Sequence, residues 1–402
     1  MRILVFYPYI PYPIDRGTYQ RTFHLLRELA RWHEVDLLAL SEKGERLDQR
    51  EVFAAFCREV TFVPFEHPPW PRLFPDRILH PLPTTIRHWT LPHIAEAVEK
   101  RLHGQDYDLL HVCDAVLAQY FMEKHGERPL ALDRSRVDLQ FQLEQAAALQ
   151  RGWRDKVLDT ENLTKLRHFE RKLAKRAAVE VVCGPDDETF IRAQISTEVP
   201  VKVLANGVDP EYFRPGLVPD TRASEPTVLF CGAMDYMPNV DALRWYFGEV
   251  HALLKAKVPD LRVLIVGRSP LPEVEAYGHL EGVTVTGGVP DVRPYYQRAW
   301  LQIVPLRIGG GTRLKIVESL AMRTPVVSTT IGAQGLGLMD NEEILLADTP
   351  REFAEQTARA LGDAALRARL EANGDRSVRA RLVWPALGKE LADFYTNHFR
   401  KP

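Results

Sequence analysis

An α/β fold built from two Rossmann-like halves is what this sequence predicts, and three observations predict it. Short β-branched runs recur along the whole chain, amphipathic helical patterns separate most of them, and the alternation restarts after a segment rich in Asn, Gly, Asp and Pro at 201–215. Strand and helix in alternation imply parallel sheets covered on both faces. A chain of 402 residues also suits two domains of roughly 150–200 residues better than one core.

The first half begins with the runs "RILVFY" at 2–7, "VDLLAL" at 35–40 and "VTFVPF" at 60–65. "DLLHV" at 108–112, "PLALD" at 129–133 and "EVVC" at 180–183 continue the series. Between the first two runs, Phe23, Leu26, Leu29 and Ala30 share one helical face across 22–32. "VKVLANGVDPEYFRP" at 201–215 reads as a linker. Strands then follow at 227–232, 262–267, 283–287, 301–305, 325–329 and 344–348. Leu387, Leu391, Phe394 and Tyr395 give the final "WPALGKELADFYTNHF" at 384–399 a helical spacing. Open sheets bind ligands beyond the carboxyl ends of their strands, so two of them facing each other are expected to form a deep cleft.

Composition narrows the function classes. Hydrophobic residues at 45% and charged ones at 26% describe an ordinary globular protein. A formal net charge of −2 supplies no global field for nucleic acid, so any anion has to be held locally. Cys57, Cys113, Cys183 and Cys231 are far apart and form no metal-type pair, and the apolar start shows no signal-peptide pattern. Reduced thiols in the cytoplasm are the expectation. No run reaches the roughly 20 apolar residues of a membrane span, which limits bilayer contact to the peripheral kind.

"PLRIGGGTRLKIVESLAMRTPVVST", from Pro305 to Thr329, carries the sharpest local signal. "LQIVP" reads as a buried strand and Arg307 to Gly311 as a turn. From Thr312 onward Leu314, Val317, Leu320 and Ala321 make one apolar helical face. Gly309, Gly310 and Gly311 thus sit where a strand's carboxyl end meets a helix's amino end. Unpaired backbone N–H groups and the helix dipole favour an anion there, and glycine admits it closely. Arg313 and Lys315 add positive charge, while Glu318 suits a vicinal diol such as a ribose. A nucleoside diphosphate fits this set. A plain tight turn with a solvated Lys315–Glu318 pair fits it as well.

Taken in order, "VLANGVDPEYFRP", "VLFCGAMDYMPNVDAL", "RVLIVG", "VTVTGGVPDVRPYY" and the glycine-rich stretch resemble the retaining glycosyltransferases of the GT-B fold. These are family 4, or group 1, enzymes, and the subgroup most similar occurs in bacterial exopolysaccharide and capsule gene sets. The resemblance implies an acceptor domain at 1–205, completed by a last helix at about 385–402, and a donor domain at 206–384. It implies that Glu318 holds the ribose hydroxyls and that Gly309 to Leu314, Thr312 included, cradle the diphosphate. Gly232 and Gly267 then let the chain pass near the donor, Val289 lies beside the base, and Gly17 faces the phosphates from the first domain.

Four departures from the family pattern matter. Gly310 stands where the first of the family's two glutamates belongs, and "GAMDYMPN" lacks the usual Arg and Lys. One fixed cation in a dry site is worth several kcal/mol against a leaving diphosphate. Arg313 and Lys315 are therefore expected to take over that duty. In the first half Thr18 replaces a second glycine after Gly17, and Cys113 replaces the family's second histidine. His111 and Asp114 remain as candidate substitutes at the end of "DLLHVCD".

Other polar stretches stay open between function and structure. Asp15 reads as a helix cap beside Gly17. Asp133, Arg134, Ser135 and Asp138 end a strand where a sugar or loop capping would use them. The segment 63–90, with Trp70, Phe74 and Trp89, suits either a lipid-linked acceptor or a rigid loop. Lys165 to Arg176 is basic but includes Glu170, as an amphipathic surface helix or a membrane-facing one would.

The resulting expectation is transfer of a sugar from a nucleoside diphosphate to an acceptor hydroxyl, with retention at the anomeric carbon. In the family scheme the leaving diphosphate oxygen helps deprotonate the acceptor, and neither a metal nor another cofactor is expected. Closure over the donor excludes water. The acceptor is a carbohydrate, a lipid-linked molecule or another small molecule, and the base stays open among UDP, GDP, ADP and dTDP. A nucleotide-sugar 2-epimerase and a non-catalytic sugar-nucleotide-binding subunit are the competing readings.

Overall fold

A computed structural model describes residues 1–14, 17–67, 79–122, 128–148, 152–219, 221–309 and 311–399. Asp15, Trp70, Phe74 and Gly310 lie outside the described residues. The chain divides into two compact units, Met1–Leu204 with Gly388–Pro402, and Ala205–Leu387.

The first unit is organised on a seven-stranded sheet. Its strands are β1 (Arg2–Tyr7), β2 (Glu34–Glu42), β3 (Glu59–Phe65), β4 (Leu109–Cys113), β5 (Leu130–Asp133), β6 (Val179–Val182) and β7 (Val201–Val203). They stand in the order β3-β2-β1-β4-β5-β6-β7, every pairing parallel. Ile3 to Tyr7 are all buried, as continuous apolar runs in a two-sided sheet require. Helix α1 (Gly17–Leu29) covers part of that sheet with Phe23, Leu25, Leu26 and Leu29. Further along come α2 (Asp138–Ala148) and α3 (Trp153–Arg176).

One expectation needs correction: Val201–Val203, read as the start of a linker, forms the strand β7. It pairs only with β6, at the sheet's edge, and its three residues are half-buried. So short a run beside Asn, Gly and Pro gives too weak a pattern to register as a strand.

The second unit has a six-stranded parallel sheet ordered β10-β9-β8-β11-β12-β13. These strands are β8 (Thr227–Cys231), β9 (Arg262–Val266), β10 (Val283–Val285), β11 (Leu301–Val304), β12 (Val326–Ser328) and β13 (Leu345–Leu346). Among its helices are α4 (Met237–Trp245), α5 (Arg293–Arg298) and α6 (Leu314–Ala321). The sheet order reverses between β8 and β11. A doubly wound sheet opens a crevice at that switch, beyond the strands' carboxyl ends. Helix α7 (Trp384–Phe399) starts in the second unit and belongs to the first from Gly388 onward. Gly388 lies so close to α1 that a Cβ there would fall 2.1 Å from the Cβ of Glu28.

Candidate functional site

The residues that directly follow β8 and its neighbour β9 are both glycines, and their backbones touch. Gly232 donates its N–H to the Val266 carbonyl at 3.0 Å, and a Cβ on Gly267 would lie 1.5 Å from the Gly232 carbonyl oxygen. Gly232 itself has φ +156, and a Cβ there would stand 2.7 Å from Asn239 Nδ2 and 3.0 Å from Lys315 Nζ. The missing side chain makes the notch that these two groups occupy.

After β11 the chain turns through Gly309 at φ +113 and Gly311 at φ +73, in the left-handed region that glycine adopts without penalty. Arg313 wraps this turn. Its Nη2 donates to the Gly309 carbonyl at 2.6 Å and its Nη1 to the Gly311 carbonyl at 2.7 Å. Thr312 is buried, and its hydroxyl accepts from the Asn206 backbone N–H at 2.7 Å while the Asn206 amide donates to the Thr312 carbonyl at 3.3 Å. Arg313 then occupies the N-cap of α6 with extended backbone, and Leu314 packs partly buried on the core. The first amides of α6 and its dipole point out of this end.

Helix α6 carries Lys315 and Glu318 one turn apart. The Lys315 ammonium donates to Asn239 Oδ1 at 2.7 Å and lies 4.5 Å from the centre of the Phe230 ring. Loss of hydration, with the Arg313 charge adding to it, pulls Lys315 down to about 8. Glu318 is 8% exposed, and its Oε2 accepts the phenolic hydrogen of Tyr296 at 3.0 Å. Burial beside these groups pushes the Cys231 thiol up to about 12, so it stays a neutral neighbour at physiological pH. Val289 sits half-buried after β10, against the same core.

Residues 225–363, which run from β8 past α6, match the family described as glycosyl transferases group 1. The matched segment contains Gly232, Gly267, Val289, Gly309, Gly311, Lys315 and Glu318. D-inositol 3-phosphate glycosyltransferase of Corynebacterium diphtheriae is 26% identical over 262 residues, which are 59% of this chain and 60% of the relative. The chain spans between about a third and three fifths of the length of the curated relatives it matches. Sucrose-phosphate synthase from Thermosynechococcus elongatus is similar with TM-score 0.73 and 20% identity over 99% of both chains. Anabaena Alr3699/HepE in complex with UDP and glucose gives TM-score 0.65 and 16% identity over 99% of this chain and 100% of that one. Both likenesses concern the fold, which is GT-B.

In the first unit the candidates fare differently. Gly17 opens α1 and is exposed. His111 has no exposed surface: its Nδ1 lies 2.8 Å from the Tyr395 hydroxyl of α7, and its Nε2 faces Asp133 at 3.7 Å. Burial holds its pKa below the usual histidine value. The ring of His111, a candidate substitute for the family's missing histidine, joins β4 to α7 in the interior. Asp133 is buried too, paired with Arg21 Nη2 at 2.9 Å.

Arg134, left open between a sugar contact and loop capping, lies in the interior. Its guanidinium is buried between Glu170 of α3, at 2.6 Å, and Glu180 of β6, at 2.7 Å. The same pairing takes Glu170 out of the surface face read into the basic run. Arg176 of that run donates to the Phe121 and Arg128 carbonyls. Trp89 packs tilted against Phe65 and edge-on to His67 as a partly buried loop residue. Among the described residues, no helix is long and apolar enough to cross a membrane.

Asp114 keeps its place at the end of β4, with φ +65 and ψ 151, a backbone region that is nearly glycine-only. Its Oδ1 accepts from the Ser135 amide at 3.2 Å and the Ser135 hydroxyl at 3.0 Å. Burial, then the charge of Asp138, raises its carboxyl to about 6.

Three residues of the second unit escaped the sequence reading: Asn239, Tyr296 and Asn206. Asn239 lies within "GAMDYMPN", a stretch without a cation in which an amide carries no charge signal. The available signal was an Asn on the first turn of a helix, aligned with the buried face.

Proposed function

We propose that this protein is a retaining glycosyltransferase that moves a sugar from a nucleoside-diphosphate sugar to an acceptor hydroxyl, in polysaccharide or glycoconjugate synthesis. The observation that carries the reading is the buried Glu318 carboxylate, fixed by Tyr296 one turn along a helix whose start follows the glycine turn and carries Lys315. A carboxylate at that distance from a phosphate-binding helix start suits the ribose of a nucleotide.

In this scheme the Gly309–Leu314 backbone and Lys315 meet the diphosphate, and Gly232 and Gly267 let it approach the strand ends. As the anomeric bond breaks, negative charge grows on the leaving oxygen, where a fixed cation and helix amides stabilise it. That oxygen takes the acceptor's proton on the same face, so the new bond forms with retention. The first unit supplies the acceptor side. UDP is the first base to test, because the HepE complex named above holds UDP. No metal enters the scheme.

A thermal-shift series with UDP, GDP, ADP and dTDP tests the reading, since a ligand of the folded form raises its stability. The expected result is one clear stabiliser, followed by transfer of the matching sugar with the donor's anomeric configuration preserved, or by slow hydrolysis of that sugar nucleotide. Conversion of the donor to its 2-epimer without an acceptor points to an epimerase, and tight binding with no turnover to a non-catalytic subunit.

A further inference from the structure

We infer that Asn239 is the positioning residue for the cation that meets the donor diphosphate, and that Lys315 is that cation while Arg313 shapes the turn. The inference rests on the nucleotide-sugar reading above and specifies how its charge is delivered.

Both ends of the Asn239 amide are committed. Oδ1 accepts from the Lys315 ammonium at 2.7 Å and Nδ2 donates to the Ala233 carbonyl at 2.8 Å, with the residue 5% exposed. Rotating the amide by half a turn would set two donors and two acceptors against each other, so only one orientation is stable. Gly232 completes the holder. Any side chain there would collide with Asn239 Nδ2 and Lys315 Nζ, and the Phe230 ring 4.5 Å away limits where else the ammonium can go. The charge is thereby held over the end of β8, at the sheet's switch point, where the family's usual loop cations are missing.

The chemistry of an amide matters here. As a neutral acceptor, Asn239 orients the ammonium and leaves its charge for an anion. A carboxylate at the same place would neutralise it. Arg313 has a different task, since its two donors close on the Gly309 and Gly311 carbonyls and set the turn's curvature. The charged or titratable groups that bear on Lys315 are Cys231 from β8 and Arg313 and Glu318 from around α6. Cys231 is neutral and Glu318 is tied to Tyr296, so burial beside the Arg313 charge dominates and Lys315 titrates near 8.

Binding of a diphosphate favours the ammonium, so affinity should fall by about tenfold per pH unit once the free lysine deprotonates. The experiment is calorimetric titration of the full chain from pH 6.5 to 9.5 with whichever of UDP, GDP, ADP and dTDP stabilises it most. Wild type should show an alkaline limb near pH 8 and proton uptake on binding there. Asn239→Asp should move that limb upward by about one pH unit or more, because an opposite charge favours the ammonium. Lys315→Met should erase it, and Arg313→Gln should weaken binding and keep the limb, shifted upward because the Arg313 charge no longer depresses the lysine. A structural role for Asn239 would lower thermal stability without moving the limb. An unmoved limb in Asn239→Asp, or a limb that survives Lys315→Met, overturns the inference and leaves the nucleotide reading standing. The lysine variant keeps the test decisive should the asparagine variant not fold. Failure of all four nucleotides to bind wild type overturns both.

Discussion

Tyr296 donates its hydroxyl to Glu318 across 3.0 Å, joining α5 to α6 at a buried point of the second unit. A buried carboxyl group without a partner is costly, so this contact keeps Glu318 aimed. Removing the hydroxyl in Tyr296→Phe should destabilise the fold by about 1.5–3 kcal/mol, the range for a hydrogen bond to a charged group. Because Glu318 is proposed to hold the ribose, the same variant should weaken nucleoside diphosphate binding by about tenfold. Urea unfolding and calorimetry measure the two effects separately. A binding loss without a stability loss would show that Tyr296 contacts the ligand and does not merely set Glu318.

Gly267 tests the interlock of the strand ends. A Cβ there would lie 1.5 Å from the Gly232 carbonyl oxygen, a distance that only separation of β8 and β9 can relieve. Gly267→Ala should therefore cost more than about 4 kcal/mol, or prevent folding. Gly288→Ala is the control, since its Cβ would meet Arg268 Cβ at an ordinary 3.5 Å. That variant should stay within about 0.5 kcal/mol of wild type. Equal effects in unfolding experiments would mean that the glycine pair is not a tight contact.

Much of the fold was legible because burial on both faces makes parallel strands read as apolar runs. The runs at 2–7, 227–232, 262–267 and 301–305 each contain a strand of the sheets. The edge strand β7 was not legible, as half-burial leaves three residues without a signature. In the site, the glycine turn, Lys315 and Glu318 were legible because glycines and charges at a strand-to-helix junction have few other uses. Their partners were not. Asn239 and Tyr296 come from α4 and α5, and only the tertiary structure brings them to α6. The same reason hid the buried partners of His111 and Arg134, which a one-dimensional pattern places at a strand end and therefore near substrate.

Arg134 shows what that hidden packing is worth. Glu170 and Glu180 are both fully buried, and the guanidinium between them is their charge partner. Truncation in Arg134→Ala would strand two carboxylates, with an expected loss of about 3–5 kcal/mol. Replacing all three with Met, Leu and Leu should recover most of the loss, since apolar groups of similar volume need no partner. Chemical denaturation of both variants checks this, and a loss below about 1 kcal/mol in the single variant would restore Arg134 as a candidate for substrate contact.

His111 predicts a pH dependence of stability whose sign follows from its burial. The folded protein holds the imidazole below its ordinary pKa, and Tyr395 and Asp133 surround it without reversing that shift. Below about pH 6.5 the unfolded chain binds a proton that the folded one does not, so stability present above that pH is lost as pH falls toward the folded pKa. Asp114, raised from 3.8 to about 6, acts in the opposite direction: between those values the folded state holds a proton that the unfolded chain has lost, so stability falls as pH rises through that window. Only a difference measurement isolates the histidine. Tyr395→Phe should cost about 0.5–1.5 kcal/mol at neutral pH through the lost hydrogen bond. His111→Gln, which cannot titrate, should flatten the decline between pH 6.5 and 5 relative to wild type while leaving donor affinity unchanged. If instead the variant leaves the pH–stability curve intact and abolishes sugar transfer, the ring serves the reaction and its interior position in α7's shadow is not its purpose.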